Sequence, residues 1–198
     1  MAATMRTSII DLLIPWAQTI PDSIAVRTPP GPDRVSLSQL RFLGEIEAAR
    51  DRCRASGLRP GDRTVLIAPS CPEFLIEFLG AHAAGLAPVA VNPLSTAREL
   101  DYILEDSDAR RLVAHPAMAD AGRSAASGRG IDFDTLPLVG NEGPSLRLRE
   151  DGVAEFDHVE FDWDDLAALL YTSGTTGKPK GAMLSLGNFI ATTDIVKE

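Results

Sequence analysis

Cysteine and histidine are scarce in this sequence. Its 198 residues include two cysteines, Cys53 and Cys71, and three histidines. The cysteines show no C-x-x-C spacing and no histidine-rich tract accompanies them, so the sequence favours neither a disulfide framework nor a zinc site. Reduced thiols are typical of cytosolic proteins, and we therefore predict a cytoplasmic location.

Positive charge is also in deficit. The chain has 19 Lys and Arg against 28 Asp and Glu, a net charge of −9, which argues against general binding to nucleic acid or to anionic membranes. Eight of the acids lie between residues 150 and 165, a stretch without Lys or Arg, and the remaining 20 nearly balance the 19 basic residues. We interpret this acidic run as a solvated face rather than a metal site.

Long apolar runs are missing as well. The longest apolar region, residues 74–91, is interrupted by Glu77, His82 and Pro88, so we predict no membrane span. The N-terminus lacks the basic lead and cleavage site of a signal peptide. With 44% hydrophobic and 24% charged residues, the composition is typical of a globular domain.

Short β-like runs alternate with longer helical stretches along the first part of the chain. This alternation predicts an α/β fold in which βαβ units form a largely parallel sheet with flanking helices. The predicted strands are 24–27, 64–68, 87–91, 111–114 and 166–171; the predicted helices are 8–18, one from Ser36 or Ser38 to near Gly57, 73–84, one from Ser95 or Thr96, and one from about Ser185.

The periodic pattern is lost in the middle of the chain. Residues 121–130 are small and polar, which predicts a loop, with one short strand at 137–139 in the region that follows. We therefore expect three segments: an α/β core over 1–119, a loop-rich acidic connection over 120–165, and a strand, loop and helix over 166–198. Long loops of this kind are usually functional.

One segment, Tyr171 to Gly181, has a composition suited to phosphate binding. It reads Tyr-Thr-Ser-Gly-Thr-Thr-Gly-Lys-Pro-Lys-Gly and follows a predicted buried strand. Glycines allow backbone N–H groups to turn inward around an anion, and hydroxyls add donors. Lys178 and Lys180 share one side of an extended chain, so both could reach one polyphosphate. A flexible connector has the same composition, but the position after a buried strand favours a nucleotide site.

The segment is not a Walker A loop. That motif requires a glycine where Thr172 stands and a Ser or Thr where Pro179 stands, and its hydroxyl holds magnesium. An ordinary P-loop phosphotransferase is therefore disfavoured.

The same segment resembles the phosphate-loop signature of the adenylate-forming superfamily, which includes acyl-CoA synthetases, peptide-synthetase adenylation domains and luciferases. The family pattern Tyr-Thr-Ser-Gly-Thr-Thr-Gly-any-Pro-Lys-Gly is matched at every fixed position. The resemblance continues upstream through residues 57–62, 70–74, 84–94 and 99–104. It is strongest to acyl-CoA synthetases and fatty-acid–CoA ligases, although Ser185-Leu186-Gly187-Asn188 stands where they usually have Thr-His-x-Asn.

The resemblance implies a ligase that activates a carboxylic acid with ATP, releases pyrophosphate and passes the acyl group to a thiol, most plausibly coenzyme A. It implies ATP-phosphate binding by Thr172, Ser173, Gly174, Thr175, Thr176, Gly177, Lys178 and Lys180. Lys180 is the one possible catalytic residue, and no metal ligand is assigned, because the main protein ligand of Mg²⁺ is expected beyond residue 198.

The resemblance also implies that this chain corresponds to less than half of such an enzyme. The ribose-binding Asp, the acyl pocket and the catalytic Lys of the C-terminal domain would all follow residue 198, so we expect the 198-residue chain alone to be inactive. Two alternatives stay open: a truncated, non-catalytic relative that acts as a binding or regulatory module, and an adenylation domain that loads an amino or acyl group onto a carrier protein.

Overall fold

A computed structural model describes residues 7–32, 34–152, 154–172 and 178–196 of the chain. The strands are β1 (Ile24–Arg27), β2 (Ser36–Ser38), β3 (Arg63–Ile67), β4 (Ala87–Val91), β5 (Ala109–Ala114), β6 (Asp132–Thr135), β7 (Leu166–Thr172) and β8 (Lys180–Ser185). The helices are α1 (Ile14–Thr19), α2 (Gln39–Ala55), α3 (Pro72–Ala83), α4 (Ala97–Asp106), α5 (Ala119–Arg129) and α6 (Leu186–Val196), with 3₁₀ helices at Ile9–Leu12 and Pro116–Met118.

The centre of the fold is a six-stranded sheet with the order β6-β5-β3-β4-β7-β8. Every neighbouring pair is parallel except β7 and β8, which are antiparallel. The separate β1–β2 sheet is antiparallel. The predicted class, α/β with a largely parallel sheet and flanking helices, is confirmed.

Helices cover both faces of this sheet because its central strands are apolar on both sides. Leu66, Val113 and Ala168 face α2 and α3 on one side. Val65, Leu112 and Leu169 face α4 and α5 on the other side. Burial on both faces explains why these strands read as continuous apolar runs rather than as alternating patterns.

The starts of two helices follow the capping rules. The Ser38 hydroxyl accepts a hydrogen bond from the N–H of Arg41 at the start of α2. At the start of α4, Thr96 and Glu99 form a reciprocal capping box. Such caps satisfy the free N–H groups of a first turn, and both starts agree with the predicted positions.

The predicted first helix over 8–18 is wrong in detail, because a 3₁₀ helix over Ile9–Leu12 precedes the short helix α1. The loop predicted over 121–130 is wrong, because helix α5 fills this region and ends at Gly130, whose φ is +64°. The small residues reflect close packing: a Cβ at Gly122 would lie 2.9 Å from Leu112 Cδ2. The strand predicted at 137–139 is also wrong, because the strand of this region is β6, four residues earlier.

Three strands were not predicted: β2, which lies where the sequence suggested only the start of a helix, β6 and β8. In β6, Asp132 and Asp134 obscured the strand pattern, but Asp134 accepts a 2.7 Å hydrogen bond from the Arg111 Nε–H. In β8, Ala182 and Met183 are both exposed, so no alternating pattern marks the strand. β8 begins within the signature segment, at Lys180, and pairs antiparallel with β7, so the two strands form a β-hairpin.

A charged cluster lies between the sheet and helices α2 and α3. Arg111 Nη1 donates to Glu77 Oε1 over 3.0 Å, and the two side chains are 4% and 1% exposed. Arg111 Nη1 also lies 3.4 Å from the Cys53 sulfur. Burial raises the pKa of the Cys53 thiol to about 12, so this thiol stays protonated, and Cys53 and Cys71 are both free.

His82 is completely buried in helix α3. Its ring stacks on Phe161 with 4.4 Å between centroids, and its Nε2 accepts a 3.4 Å hydrogen bond from the Ile9 N–H. Burial lowers the pKa of His82 to about 4, and nearby His158 adds to the shift. The packing role predicted for His82 fits this position.

We expect the free energy of unfolding to fall as the pH decreases from about 6.5 to 4. Over this range the unfolded state binds a proton at His82 that the folded state does not bind. His82 contributes about 3 kcal/mol to this fall in the free energy of unfolding. The measurement is urea unfolding at pH 7, 5.5 and 4, compared with His82→Gln, which retains an acceptor for Ile9. Parallel pH profiles for the two proteins would contradict this prediction.

Candidate functional site

The signature segment lies at the carboxyl edge of the sheet. Strands β3, β4 and β7 run parallel and end at Ile67, Val91 and Thr172, and β8 returns from Lys180 antiparallel to β7. Ligands of open α/β sheets bind outside the carboxyl ends of the strands. The hairpin therefore presents the signature where this class of fold places a ligand.

The structure describes three of the eight predicted phosphate-binding residues. Thr172 and Lys180 are the register pair of the hairpin nearest residues 173–177. Thr172, Lys178 and Lys180 are all exposed. Residues Ser173, Gly174, Thr175, Thr176 and Gly177 lie outside the described part of the chain. Binding of ATP by these eight residues stays a prediction.

Lys178 rests against helix α4. Its Nζ lies 5.2 Å from the centroid of the Tyr102 ring, an arrangement in which the ring face attracts the cation. A cleft of about 520 Å³ separates this part of the hairpin from the helix; its lining includes Glu99, Asp101 and Glu105. The ammonium group thus lies against the Tyr102 ring, beside a cleft lined by charged residues of α4.

Asp106 joins two tyrosines at the same place. The Tyr171 hydroxyl donates to its Oδ2 over 2.6 Å, and the Tyr102 hydroxyl donates to its Oδ1 over 3.1 Å. Burial, and then the hydrogen bond to Asp106, raise the pKa of Tyr171. The bond to Asp106 also raises the pKa of Tyr102. Both phenols therefore remain protonated donors near neutral pH.

Gly181 provides the space for the Tyr171 ring. The two residues are register partners in the hairpin, and a Cβ at Gly181 would lie 2.9 Å from Tyr171 Cζ and 3.0 Å from Cε2. Gly181 therefore has a packing role beneath the Tyr171 ring. The sequence had suggested only that the glycines of this segment let the backbone approach a phosphate.

The sequence did not identify Tyr102 and Asp106 as part of this site. They precede the signature by about 70 residues. Tyr102 lies in the segment 99–104 that resembles the family, but that resemblance assigned it no role. Their spacing of four residues on a predicted helix places the two side chains side by side. That spacing does not indicate which strand they face.

Within the described ranges, no three or more His, Cys, Asp or Glu side chains come together in a way that could hold a metal ion. In the same part of the chain, no helix has the length and apolar character needed to cross a bilayer.

Comparison with known proteins agrees with the fold and the signature. The model of the family described as "AMP-binding enzyme" matches residues 16–197. Because this match covers most of the sequence, the chain belongs to the AMP-binding enzyme family.

Several relatives are CoA synthases or CoA ligases. The chain is 36% identical over 137 residues to the feruloyl-CoA synthase of an Amycolatopsis species, covering 68% of this chain and 25% of the relative. It is 30% identical over 168 residues to a probable CoA ligase of Humulus lupulus, covering 81% and 31%. Among solved structures, ATP-bound MatB from Rhodopseudomonas palustris superposes with a TM-score of 0.71 at 29% identity, over 91% of this chain and 36% of that one. The chain thus spans about a quarter to a third of these proteins.

We expect Gly181→Ala to lower the free energy of unfolding by about 1–3 kcal/mol, because the added methyl displaces the Tyr171 ring, whose hydroxyl is held by Asp106. Urea unfolding measures the loss. Gly128→Ala adds the same methyl where no atom lies within 4 Å, and we expect no loss there. Equal stabilities of the two variants would contradict the packing role of Gly181.

Proposed function

We propose that the chain holds the ATP phosphates in a ligase that joins a carboxylic acid to a thiol through an acyl adenylate. The observation that carries this proposal is the signature segment on the β7–β8 hairpin, with Lys178 and Lys180 exposed at the carboxyl edge of the sheet. Membership of the AMP-binding enzyme family supports it.

The chemistry requires activation of a poor electrophile. A carboxylate oxygen attacks the α-phosphorus of ATP, the bond from that phosphorus to the bridging oxygen breaks, and pyrophosphate leaves with the electron pair. The thiol then displaces AMP from the acyl carbon. The first step places growing negative charge on the leaving phosphates, so fixed donors and cations stabilise its transition state.

The residues of this chain fit the phosphate end of that reaction. We assign hydrogen-bond donors for the β- and γ-phosphates to residues 172–177, and a mobile positive charge to Lys180. Lys178 adds a second cation at the same edge. The described residues form no cluster that would bind Mg²⁺, so the proposal assigns the metal to none of them.

We propose coenzyme A as the acceptor thiol, because the named relatives are CoA synthases and CoA ligases. Their names include acids of different types, for example the long-chain fatty acids of FadD13 from Mycobacterium tuberculosis, to which the chain is 34% identical over 146 residues. A panel of aromatic, short-chain and long-chain acids is therefore the appropriate substrate test.

In the full-length protein, we expect Lys180→Ala to slow adenylation about 10²–10³-fold, since one electrostatic stabiliser of the transition state is lost. Stability should change little, because the side chain is exposed. The measurement is acid-dependent exchange of labelled pyrophosphate into ATP. Arg149→Ala, which removes an exposed cation outside the hairpin, is the control. A rate for Lys180→Ala within threefold of wild type would remove Lys180 from the mechanism.

We expect the purified 198-residue chain to show no acid-dependent pyrophosphate exchange. The hairpin offers exposed lysines and hydroxyls, and exposed charge pairs each contribute about 1 kcal/mol or less. Rate depends on binding energy from the rest of the substrate, and we expect those contacts in the additional part of the relatives, which are nearly three times this length. Robust exchange by this chain with any acid of the panel would show that it is a complete minimal enzyme.

A further inference from the structure

We propose that Asp106 and Tyr102 are positioning residues that fix the phosphate-binding hairpin to helix α4. The proposal rests on the proposed function and adds a role for two residues outside the signature. Neither residue need touch a nucleotide: Asp106 acts through Tyr171, and Tyr102 acts through Lys178.

The first contact lies just before the signature loop. Tyr171 is the penultimate residue of β7, and its hydroxyl donates to Asp106 Oδ2 at 2.6 Å. Asp106 is the last residue of α4. A carboxylate suits this place because two phenols donate to its two oxygens, and neutral acceptors form weaker bonds.

The second contact lies just after the loop. Lys178 Nζ is 5.2 Å from the centroid of Tyr102, and the Tyr102 hydroxyl donates to the other oxygen of Asp106 at 3.1 Å. Asp106 thus connects Tyr171, which precedes residues 173–177, with Tyr102, whose ring contacts Lys178 just after them.

The Tyr171 ring also couples the two strands of the hairpin. It occupies the space above Gly181 on β8, so a displaced ring moves the start of the returning strand. β8 is an edge strand with a neighbour on one side only. Its position beside the loop therefore depends on this side-chain contact in addition to its backbone pairing with β7.

Helix α4 is a firm support for these contacts. Its residues Leu100, Ile103 and Leu104 are at most 2% exposed and pack into the core beneath the sheet. Its N-terminus is closed by the Thr96–Glu99 capping box. Catalytic groups are held in productive geometry by residues whose own positions are fixed by packing and hydrogen bonds.

The first experiment tests the contacts by tyrosine ionisation. The chain contains two tyrosines, and both donate to Asp106, so tyrosinate absorbance reports on this cluster alone. At pH 11, with circular dichroism confirming the fold, we expect at least twice the tyrosinate fraction in Asp106→Asn as in wild type. Asp108→Asn is the matched control: it makes the same change two residues away, where the residue has φ +49° and pairs with Arg63.

The second experiment tests positioning in the full-length protein by pyrophosphate exchange. We expect Asp106→Asn to raise the KM for ATP at least fivefold while the KM for the acid stays within twofold. Asp108→Asn should leave both within twofold. Because Asp106 acts through Tyr171, the double variant Asp106→Asn/Tyr171→Phe should show no larger effect than the more impaired single variant.

The outcomes separate the two proposals. An unchanged tyrosinate fraction in Asp106→Asn overturns the contacts, and a changed fraction with an unchanged KM for ATP overturns the positioning role. Equal losses for ATP and acid also overturn it, because they indicate general damage. If wild type shows no exchange with any acid, the ligase proposal fails and the phosphate role of Asp106 fails with it.

Discussion

The parallel pairing of β4 with β7 is the constraint on which the candidate site depends. Val89 pairs with Leu169 and Ala90 with Leu170, which joins two strands separated by about 75 residues. This pairing puts the carboxyl end of β7 beside those of β3 and β4. The signature segment on an isolated strand would have no neighbouring helix, whereas here helix α4 lies against the same edge and contacts both Tyr171 and Lys178.

Small residues set the distances between the layers of this structure. A Cβ at Gly44 would lie 2.6 Å from the backbone nitrogen of Leu146, and one at Gly80 would lie 2.9 Å from the backbone nitrogen of Arg50. Gly122 and Gly181 are close to side chains in the same way. Protein interiors are packed to the density of organic crystals, so these positions fix how closely a helix, a loop and a ring can approach the sheet.

Two polar contacts of the fold join residues distant in sequence. Glu77 and Arg111 are 34 residues apart and form a nearly dry ion pair, and Asp106 receives Tyr171 from 65 residues away. A buried charge without its partner is strongly destabilising. The buried pair therefore specifies that helix α3 lies against β5, and the hydrogen bond from Tyr171 to Asp106 joins β7 to α4 beside the candidate site.

The sequence by itself determined the elements whose signals are local. The bounds of β1 and β4, the starts of α2 and α4 to within a choice of two capping residues each, and the location of the signature after a buried strand follow from periodicity, capping and turn chemistry over a few residues. Only the tertiary structure decided that residues 119–129 form a helix, that β8 closes a hairpin, and that Tyr102 and Asp106 belong to the site. The physical reason is that local patterns report a residue's own conformation, whereas edge pairing and contacts across many residues depend on which surfaces the folded sheet brings together.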